Sequence, residues 1–481
     1  MHHQIKRLST VFTIALLALL GNLLVSQVFQ VSELRNRPDN TRLILEEYGR
    51  ERGPILVDGQ FIARSIETNN TLVYQRKYQF GEMYSPVTGF YSLVYGTTGT
   101  ERIYGSLLSG QDDRLAIDRL QQLLSGAKVR GGVVTLTLDH EMQKAAYQAL
   151  AGRTGSVVAI DAETGEILTL VSSPSFDANL LASNDPAEVR TAYEKFLADP
   201  AEPMLNRPLV KTLPPGSTFK LVVAAAALES GRFDANSMLP APAKLPLPLT
   251  DKKIGNWQGK ACAPAGEISL LGALQVSCNT AFAWLGMELG SDALLDQAQK
   301  FGFNDSFDVP LTAASSVFPI GLDAPQTAMS SIGQFDVRAT TLQMAMVGAA
   351  ILNDGKLMKP YFVRDVRTAD LQLLERTEPT LIRQAISAQN AQSLQEMMRS
   401  VVTAGTASSL NLPDLWIGGK TGTAESGTDA AAHAWMSAIF KYGERKISIS
   451  VVVENGGGAV EVSGNQLAGP IAAKVIAAAL K

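Results

Sequence analysis

The chain contains few of the residues on which metal-dependent and histidine-dependent chemistry relies. Its 481 residues include only four histidines and two cysteines, and neither a CxxC nor an HExxH spacing occurs. A protein-built zinc site is therefore not expected. A phosphate-binding loop of the form GxxxxGKS or GxxxxGKT is also missing. We expect no metal and no cofactor, and we expect the chemistry to depend on Ser, Lys, Asn and Thr.

Charge is also sparse, and neither sign forms a large excess. Charged residues make up 18% of the chain, and the formal net charge is -4. Without a basic surplus, the sequence gives no indication of nucleic-acid binding. Hydrophobic residues make up 46%, which is ordinary for a globular body. Because 481 residues exceed what one compact core usually holds, two or three domains are expected.

A long uncharged run stands near the N-terminus. No charged residue occurs between Arg7 and Glu33, and residues 11–31 are mostly apolar. This is about the ~20 residues that a helix needs to cross a bilayer. A cleaved signal peptide is the alternative, but the run exceeds a typical h-region and no clear A-x-A site follows. Because Lys6 and Arg7 precede the run, we predict a cytoplasmic tail (1–10), a single signal-anchor helix (11–31) and an extracytoplasmic remainder.

The remainder divides into two parts that differ in their residue patterns. Up to about residue 152, short aromatic and β-branched runs such as TLVYQRKY, GFYSLVYG and ERIYGSLL predict strands. In residues 153–481, GSVVAIDAETGEILTLVSS predicts a hairpin, alanine-rich helices follow, and strands return in LWIGGKTGTA, HAWMSAIFKY and KISISVVVENG. The pattern predicts an α/β (α+β) fold in which the edges of one sheet come from the two termini of the second domain.

Three short motifs occur in order along the second part. They are Ser-Thr-Phe-Lys at 217–220, Ser-Cys-Asn at 277–279 and Lys-Thr-Gly-Thr at 420–423. Each is weak alone, because Ser125 with Lys128 also forms an SxxK and residues 463–465 also form an SxN. KTG occurs once. Order and context therefore separate this set from the decoys.

The surroundings of Ser217 suit a nucleophile. Pro214-Pro215-Gly216 precedes it and an apolar run follows, which predicts a helix start. Positions i and i+3 share a helix face, so Lys220 is expected beside Ser217. Free N–H groups and the positive end of the helix dipole would stabilise an oxyanion there. Ser125, in contrast, is expected in a glycine-bearing loop.

A serine needs a base, and histidine is poorly supplied. Only His140 and His433 lie beyond the anchor region, and His433 is more typical of a packing residue. Lysine can act as the base where burial and a neighbouring positive charge lower its pKa. Lys420 would be that neighbour if the KTG strand borders the same cleft. A helix cap and a solvated lysine are the alternative reading of Ser217 and Lys220, and the ordered motifs disfavour it.

S-x-x-K, S-x-N and K-T-G together resemble the serine penicillin-recognising enzymes. The N-terminal part resembles their class B penicillin-binding proteins, and the penicillin-binding protein A subgroup in particular. The residues that carry this second resemblance are RGPI at 52–55 with Asp58 and Gly59, GFYS at 89–92 with Gly96, Gly99, Glu101 and Gly110, and LTLD at 136–139 with Gln143. The resemblance implies a non-catalytic, dimerisation-like pedestal at 32–152 and a transpeptidase domain with a central antiparallel sheet flanked by helices at 153–481.

The resemblance also implies a role for each motif residue. These roles are Ser217 as acylated nucleophile, Lys220 as general base, Ser277 and Asn279 as proton relay and substrate-amide contact, Lys420 as electrostatic support, Thr421 and Thr423 as ligands of the substrate carboxylate beside Gly422, and the backbone N–H groups of Ser217 and Thr423 as oxyanion hole. Cys278 departs from the usual middle residue and is expected to face away from the cleft. In an oxidising compartment the two cysteines permit a disulfide between Cys278 and Cys262.

The function so implied is peptidoglycan D,D-transpeptidation through an acyl-enzyme, with stem peptides as substrates and β-lactams as acylating inhibitors. A pedestal of this length is too short for a glycosyltransferase domain, so a membrane glycan polymerase of the SEDS type is the expected partner. A D,D-carboxypeptidase or β-lactamase would use the same motifs with water as acceptor, but usually without such a pedestal. A non-enzymatic β-lactam sensor or division scaffold would need further spans or a cytoplasmic effector.

Overall fold

The computed structural model describes residues 2–25, 47–69, 72–126, 128–425, 431–458 and 462–480. Its first element is a helix from His2–Leu24. The window Gln4–Asn22 is long and apolar enough to cross a membrane and is not buried by the rest of the chain. No other helix of the described residues meets the same test. Residues 26–31 of the predicted span lie outside the described residues.

The N-terminal part is built on a six-stranded sheet, which we call the pedestal sheet. In spatial order its strands are Leu373–Arg376, Val363–Arg367, Val133–Leu136, Ile55–Val57, Gln60–Glu67 and Tyr74–Tyr78. The pairing of Ile55–Val57 with Val133–Leu136 is parallel, and the other pairings are antiparallel. The first two strands belong to the C-terminal half of the chain. The pedestal sheet is therefore completed by residues far beyond position 152.

One predicted strand of the pedestal is wrong. The segment ERIYGSLL forms two short helices, Gly99–Ile103 and Gly105–Leu108. Glu101 is completely buried there, and its carboxylate accepts hydrogen bonds at 2.6 Å from the Nε atoms of both Arg52 and Arg76. A buried carboxylate requires such partners. This long-range pairing overrides a local composition that favours a strand.

A strand and a helix join the pedestal to the second domain. The helix His140–Leu150 follows the strand Val133–Leu136, and Asp139 caps its N-terminus by accepting from the backbone N–H of Met142. The Gln143 side chain donates to the carbonyls of Met83 and Leu170, each at 3.0 Å, and accepts from the N–H of Leu170 at 2.8 Å. Gln143 thus fastens the pedestal to the central sheet of the next domain.

That domain contains a five-stranded antiparallel sheet. In spatial order its strands are Trp416–Ala424, His433–Tyr442, Arg445–Val453, Gly155–Asp161 and Ile167–Ser173. The two edges come from opposite ends of the domain, and the predicted α/β fold with an antiparallel sheet between helices is confirmed. The helix Thr341–Leu352 is buried along its whole length, as expected of a helix that is apolar all round. Other helices of this domain are Pro186–Ala198, Lys220–Glu229, Leu270–Gln275, Asn279–Leu289, Ser291–Lys300, Ala324–Ser330, Ala388–Thr403 and Gly464–Ala479.

Trp416–Ala424, which we call the KTG strand, is an edge of this sheet. Beyond the edge lie a turn at Gly216–Phe219 and the helix Ala388–Thr403, both in contact with the strand. The helix Lys220–Glu229 packs in turn against Asn279–Leu289 and Ala388–Thr403. All three motifs are thereby brought to this edge.

Candidate active site

Ser217 lies on a tight turn and not on the α-helix itself. Gly216–Phe219 is a 3₁₀ turn, and the α-helix begins only at Lys220. Gly216 has a φ of 53°, which favours glycine. The predicted helix start is thus displaced by three residues. In a 3₁₀ turn positions i and i+3 eclipse one another, so Ser217 and Lys220 still share a face.

Two glycines allow the serine turn to lie directly against the KTG strand. A Cβ atom on Gly216 would lie 2.7 Å from the carbonyl oxygen of Thr423, and one on Gly422 would lie 2.9 Å from that of Pro215. Real Cβ atoms do not approach backbone atoms this closely. Glycine at both positions therefore brings Ser217 beside the end of the KTG motif.

The two lysines meet at Ser277. Lys220 is completely buried, and its Nζ donates to the Ser277 carbonyl at 2.9 Å, to Asn279 Oδ1 at 2.7 Å and to Ser277 Oγ at 3.3 Å. None of these three bonds reaches Ser217. Lys420 is also completely buried, and its Nζ donates to Ser277 Oγ at 2.8 Å and to the Thr421 carbonyl at 2.9 Å. Ser277 Oγ is thus a bridge between both ammonium groups.

The loop that carries Ser277 is held in an unusual conformation. Ser277 has a φ of 59°, in the left-handed region that non-glycine residues rarely adopt. Its side chain and that of Asn279 contact Lys220, whereas Cys278 between them is only 1% exposed. The expected disulfide is present and joins Cys278 to Cys262, with their Cα atoms 5.8 Å apart. The loop therefore turns alternate side chains toward the lysines.

Burial of both lysines changes their proton affinity. Burial, together with the charge of Lys420, holds the pKa of Lys220 well below its usual range. Burial alone lowers the pKa of Lys420 to about 7. Because the two ammonium groups share one hydroxyl acceptor, the pair titrates as a unit. Near neutral pH the arrangement favours a state in which one amine is neutral and able to accept a proton.

Comparison with known proteins identifies the family of the chain. Residues 155–477 match the penicillin binding protein transpeptidase domain, and residues 52–134 match the penicillin binding protein A dimerisation domain. The peptidoglycan D,D-transpeptidase PbpA of Mycolicibacterium smegmatis is 41% identical over 490 residues, which cover 100% of this chain and 99% of the relative. The PbpA of Mycobacterium tuberculosis is 39% identical over 491 residues, with the same coverage. This chain belongs to the class B penicillin-binding proteins and is a serine D,D-transpeptidase.

Solved structures of related penicillin-binding proteins have the same fold. The ceftriaxone acyl-enzyme complex of penicillin-binding protein A from M. tuberculosis has a TM-score of 0.89 and 39% identity, and the match covers 91% of this chain and 100% of that one. The penicillin G acyl-enzyme complex has a TM-score of 0.86 and 40% identity, with coverage of 90% and 100%. Those structures hold a β-lactam covalently.

Two threonines of this penicillin-binding protein lie on the KTG strand with different exposure. Thr423 is exposed, whereas Thr421 is 8% exposed and shares a hydrogen bond of 2.7 Å with Thr406 Oγ1. Sequence reasoning did not identify Thr406, because no motif marks it. It also missed Asn256, whose contacts with the Ser277 loop become apparent only in the tertiary structure.

The decoy motifs of this penicillin-binding protein are not part of the lysine network, although Gly464 packs against Gly422 of the KTG strand. Ser125 ends an exposed helix, and Lys128 is exposed and 4.0 Å from Glu67. Asn465 accepts from the backbone N–H of Ser409. These decoys make no hydrogen bond with the Lys220–Lys420 pair among those that the structure describes.

His433 lies outside the lysine network. It pairs with Ala424 across the sheet and is 5% exposed, and its Nδ1 accepts from the backbone N–H of Asn455 at 3.1 Å. Burial lowers its pKa, and so do the charges of Lys211 and Arg338. This environment keeps the imidazole neutral, with one ring nitrogen occupied by a backbone bond. It supports the reading of His433 as a packing residue.

Proposed function

We propose that Ser217 is the nucleophile of a peptidoglycan D,D-transpeptidase and that Lys220 is its base. The observation that carries the proposal is the pair of buried lysines, Lys220 and Lys420, which both donate to Ser277 Oγ. Lys220 follows Ser217 by one turn of the chain. A buried pair of this kind supplies a neutral amine without histidine. The substrate is the D-Ala-D-Ala end of a stem peptide, as the names of the relatives suggest.

In the first step the neutral amine of Lys220 takes the proton of the Ser217 hydroxyl. The amine can donate two of its hydrogen bonds to the Ser277–Asn279 loop and keep its lone pair for this proton. Ser217 Oγ then bonds to the carbonyl carbon of the penultimate D-Ala. The oxyanion is stabilised by the backbone N–H groups of Ser217 and Thr423. The proton returns through Ser277 to the leaving nitrogen, the C–N bond breaks and D-Ala departs.

In the second step an amine of a neighbouring strand attacks the ester carbonyl. Lys220 accepts a proton from this amine, the new amide bond forms, and the ester bond to Ser217 breaks. The proton passes back to Ser217 Oγ, which restores the starting state. A β-lactam undergoes only the first step, because its leaving nitrogen remains attached to the acyl group.

Substrate binding depends on the end of the KTG strand. Thr421 and Thr423 would donate to the terminal carboxylate of the peptide, with Thr406 orienting the hydroxyl of Thr421. Lys420 would add electrostatic support, since its Nζ donates to the Thr421 carbonyl at 2.9 Å and so lies close to this end of the strand. Gly422 contributes indirectly, because it lets the serine turn lie against the strand beside these threonines.

The arrangement of the whole chain supports an enzyme of the cell surface. We assign a non-catalytic pedestal to residues 32–152 and the transpeptidase domain to residues 153–481, consistent with the family matches at 52–134 and 155–477. The N-terminal helix would anchor both domains on the outer side of the cytoplasmic membrane. Glycan polymerisation would come from a membrane partner of the SEDS type.

Labelling with fluorescent penicillin tests the proposal. Ser217→Ala should abolish covalent labelling, and transfer from a stem-peptide donor to an amine acceptor should be lost with it. Ser125→Ala and Lys128→Ala are the matched controls, because they alter the decoy motif in the same way, and they should label normally. Persistent labelling of Ser217→Ala would refute the assignment of the nucleophile.

A further inference from the structure

A strongly basic hairpin borders the candidate active site. Its strands Lys244–Pro246 and Lys253–Gly255 pair in antiparallel fashion, with Lys244 opposite Gly255. Lys244, Lys253 and Gly255 are exposed, whereas Ile254 between them is buried. Successive side chains point to opposite faces of a strand, so both lysines lie on the outward face that contains Gly255.

This hairpin is unusual in charge for the chain. Positions 244, 252, 253 and 260 are lysines and Asp251 is the only acid between them, although the net charge of the protein is -4. None of these lysines forms an ion pair with the described part of the chain. The hairpin therefore presents a positive charge that the described residues do not neutralise.

The hairpin also contacts a motif residue directly. Asn279 Nδ2 donates to the carbonyl of Gly255 at 3.2 Å, while Asn279 Oδ1 accepts from Lys220. The space above Gly255 is open, since the nearest atom to an added Cβ would be the Ala243 carbonyl oxygen at 3.9 Å. A chain that leaves the cleft past Asn279 would pass over this face.

The loop that follows the hairpin is fixed beside Asn279. The Asn256 side chain donates to the carbonyls of Pro242 and Lys260 at 3.1 and 3.0 Å, and accepts from the N–H of Thr280 at 3.0 Å. The disulfide between Cys262 and Cys278 holds its far end. Trp257 lies within this loop and is 76% exposed. A large aromatic side chain on an ordered loop binds a ligand at little entropic cost.

We propose that Lys244, Lys253 and Trp257 form a subsite for the carboxylate-bearing part of the stem peptide, beyond its D-Ala-D-Ala end. This subsite rests on the proposed function and extends it to substrate selection. The two lysines would pair with peptide carboxylates, and Trp257 would cover the peptide chain between them. Exposed pairs of this kind act mainly on association and are weakened by salt.

The test compares two forms of one substrate. The double variant Lys244→Glu/Lys253→Glu is assayed for acyl transfer from a D-Ala-D-Ala stem peptide with free side carboxylates and from the same peptide with carboxamides. We expect the ratio of kcat/KM for the carboxylate form to that for the carboxamide form to fall about tenfold, since reversal of two charges replaces attraction by repulsion. The effect should enter through KM and shrink at high salt. Trp257→Ala should raise KM for both forms alike.

The control Lys144→Glu/Lys195→Glu makes the same change of charge at two exposed lysines elsewhere. It should leave the ratio unchanged. An unchanged ratio in the hairpin variant, or an equal fall in the control, would overturn the subsite. Penicillin labelling of the unaltered protein tests the proposed function separately. If the unaltered protein is labelled but the ratio does not respond, the subsite alone is wrong.

Discussion

Replacement of Lys220 by methionine separates its role as a base from its role in packing. Methionine has a similar length and carries no exchangeable proton. The ammonium group lies in a fully buried site beside Lys420, so its removal relieves desolvation and repulsion. In return, the Ser277 carbonyl and Asn279 Oδ1 lose a donor, which costs about 1–3 kcal/mol for each unsatisfied group. Because these effects oppose one another, we expect Lys220→Met to fold with a modest change in Tm.

The effect on acylation should be much larger than the effect on stability. Positioned proton transfer contributes about 10²–10⁴-fold to a rate. At roughly 1.36 kcal/mol for each factor of ten, its loss raises the barrier by about 3–5 kcal/mol. The serine turn and the KTG strand do not depend on the amine for their contact, so the candidate oxyanion hole should persist. Lys220→Met should therefore acylate slowly, whereas Ser217→Ala should not acylate at all.

The assay is the second-order rate constant of labelling by fluorescent penicillin, with thermal unfolding measured in parallel. Lys220→Arg is a useful companion, because arginine keeps the charge but does not lose a proton at any accessible pH. The larger side chain overpacks a fully buried site and should cost about 1–3 kcal/mol of stability. Lys144→Met serves as the matched control at an exposed lysine. Near-native acylation by a folded Lys220→Met would show that another group is the base.

Four further predictions concern the lysine pair, the disulfide and the anchor. Acylation should rise with pH and level off well below the pH at which an ordinary lysine titrates, because burial and the charge of Lys420 hold the pKa of Lys220 well below its usual range; a rise that continues past pH 9 would contradict this. Between about pH 7 and pH 10 the unfolded chain binds more protons than the folded pair, so the pair's contribution to the free energy of unfolding should increase with pH, and chemical denaturation of wild type against Lys420→Met would reveal it. In Cys262→Ser/Cys278→Ser the free energy of unfolding should fall by ~3 kcal/mol, the value expected for a sequence separation of 16, and acylation should be slower. Two free thiols in the unaltered protein, denatured without reductant, would refute the bridge. A phosphatase fused after residue 60 should be active outside the cytoplasm, and activity of a cytoplasmic reporter alone would contradict the proposed topology.

Local patterns determined much of what could be read from the chain. The ordered motifs around Ser217, Ser277 and Lys420 need only residue identity and context, and they indicated the family. The uncharged N-terminal run predicted a helix, because length and hydropathy suffice for that inference. The hairpin signal and the strand-like runs at the two ends of the second part predicted the strands of the five-stranded sheet and its edges. These features depend on neighbours a few residues apart, which the sequence shows directly.

Features that depend on distant neighbours required the tertiary structure. The strands Val363–Arg367 and Leu373–Arg376 complete the pedestal sheet. The periodicity of either segment does not show which distant strand it pairs with. The segment around Glu101 forms helices because its carboxylate is buried between two arginines. The meeting of Lys220 and Lys420 at Ser277 Oγ likewise arises where three elements pack together. Sequence supplied the chemical groups, and burial in the folded chain decided their distances and their proton affinities, because desolvation and charge coupling exist only after packing.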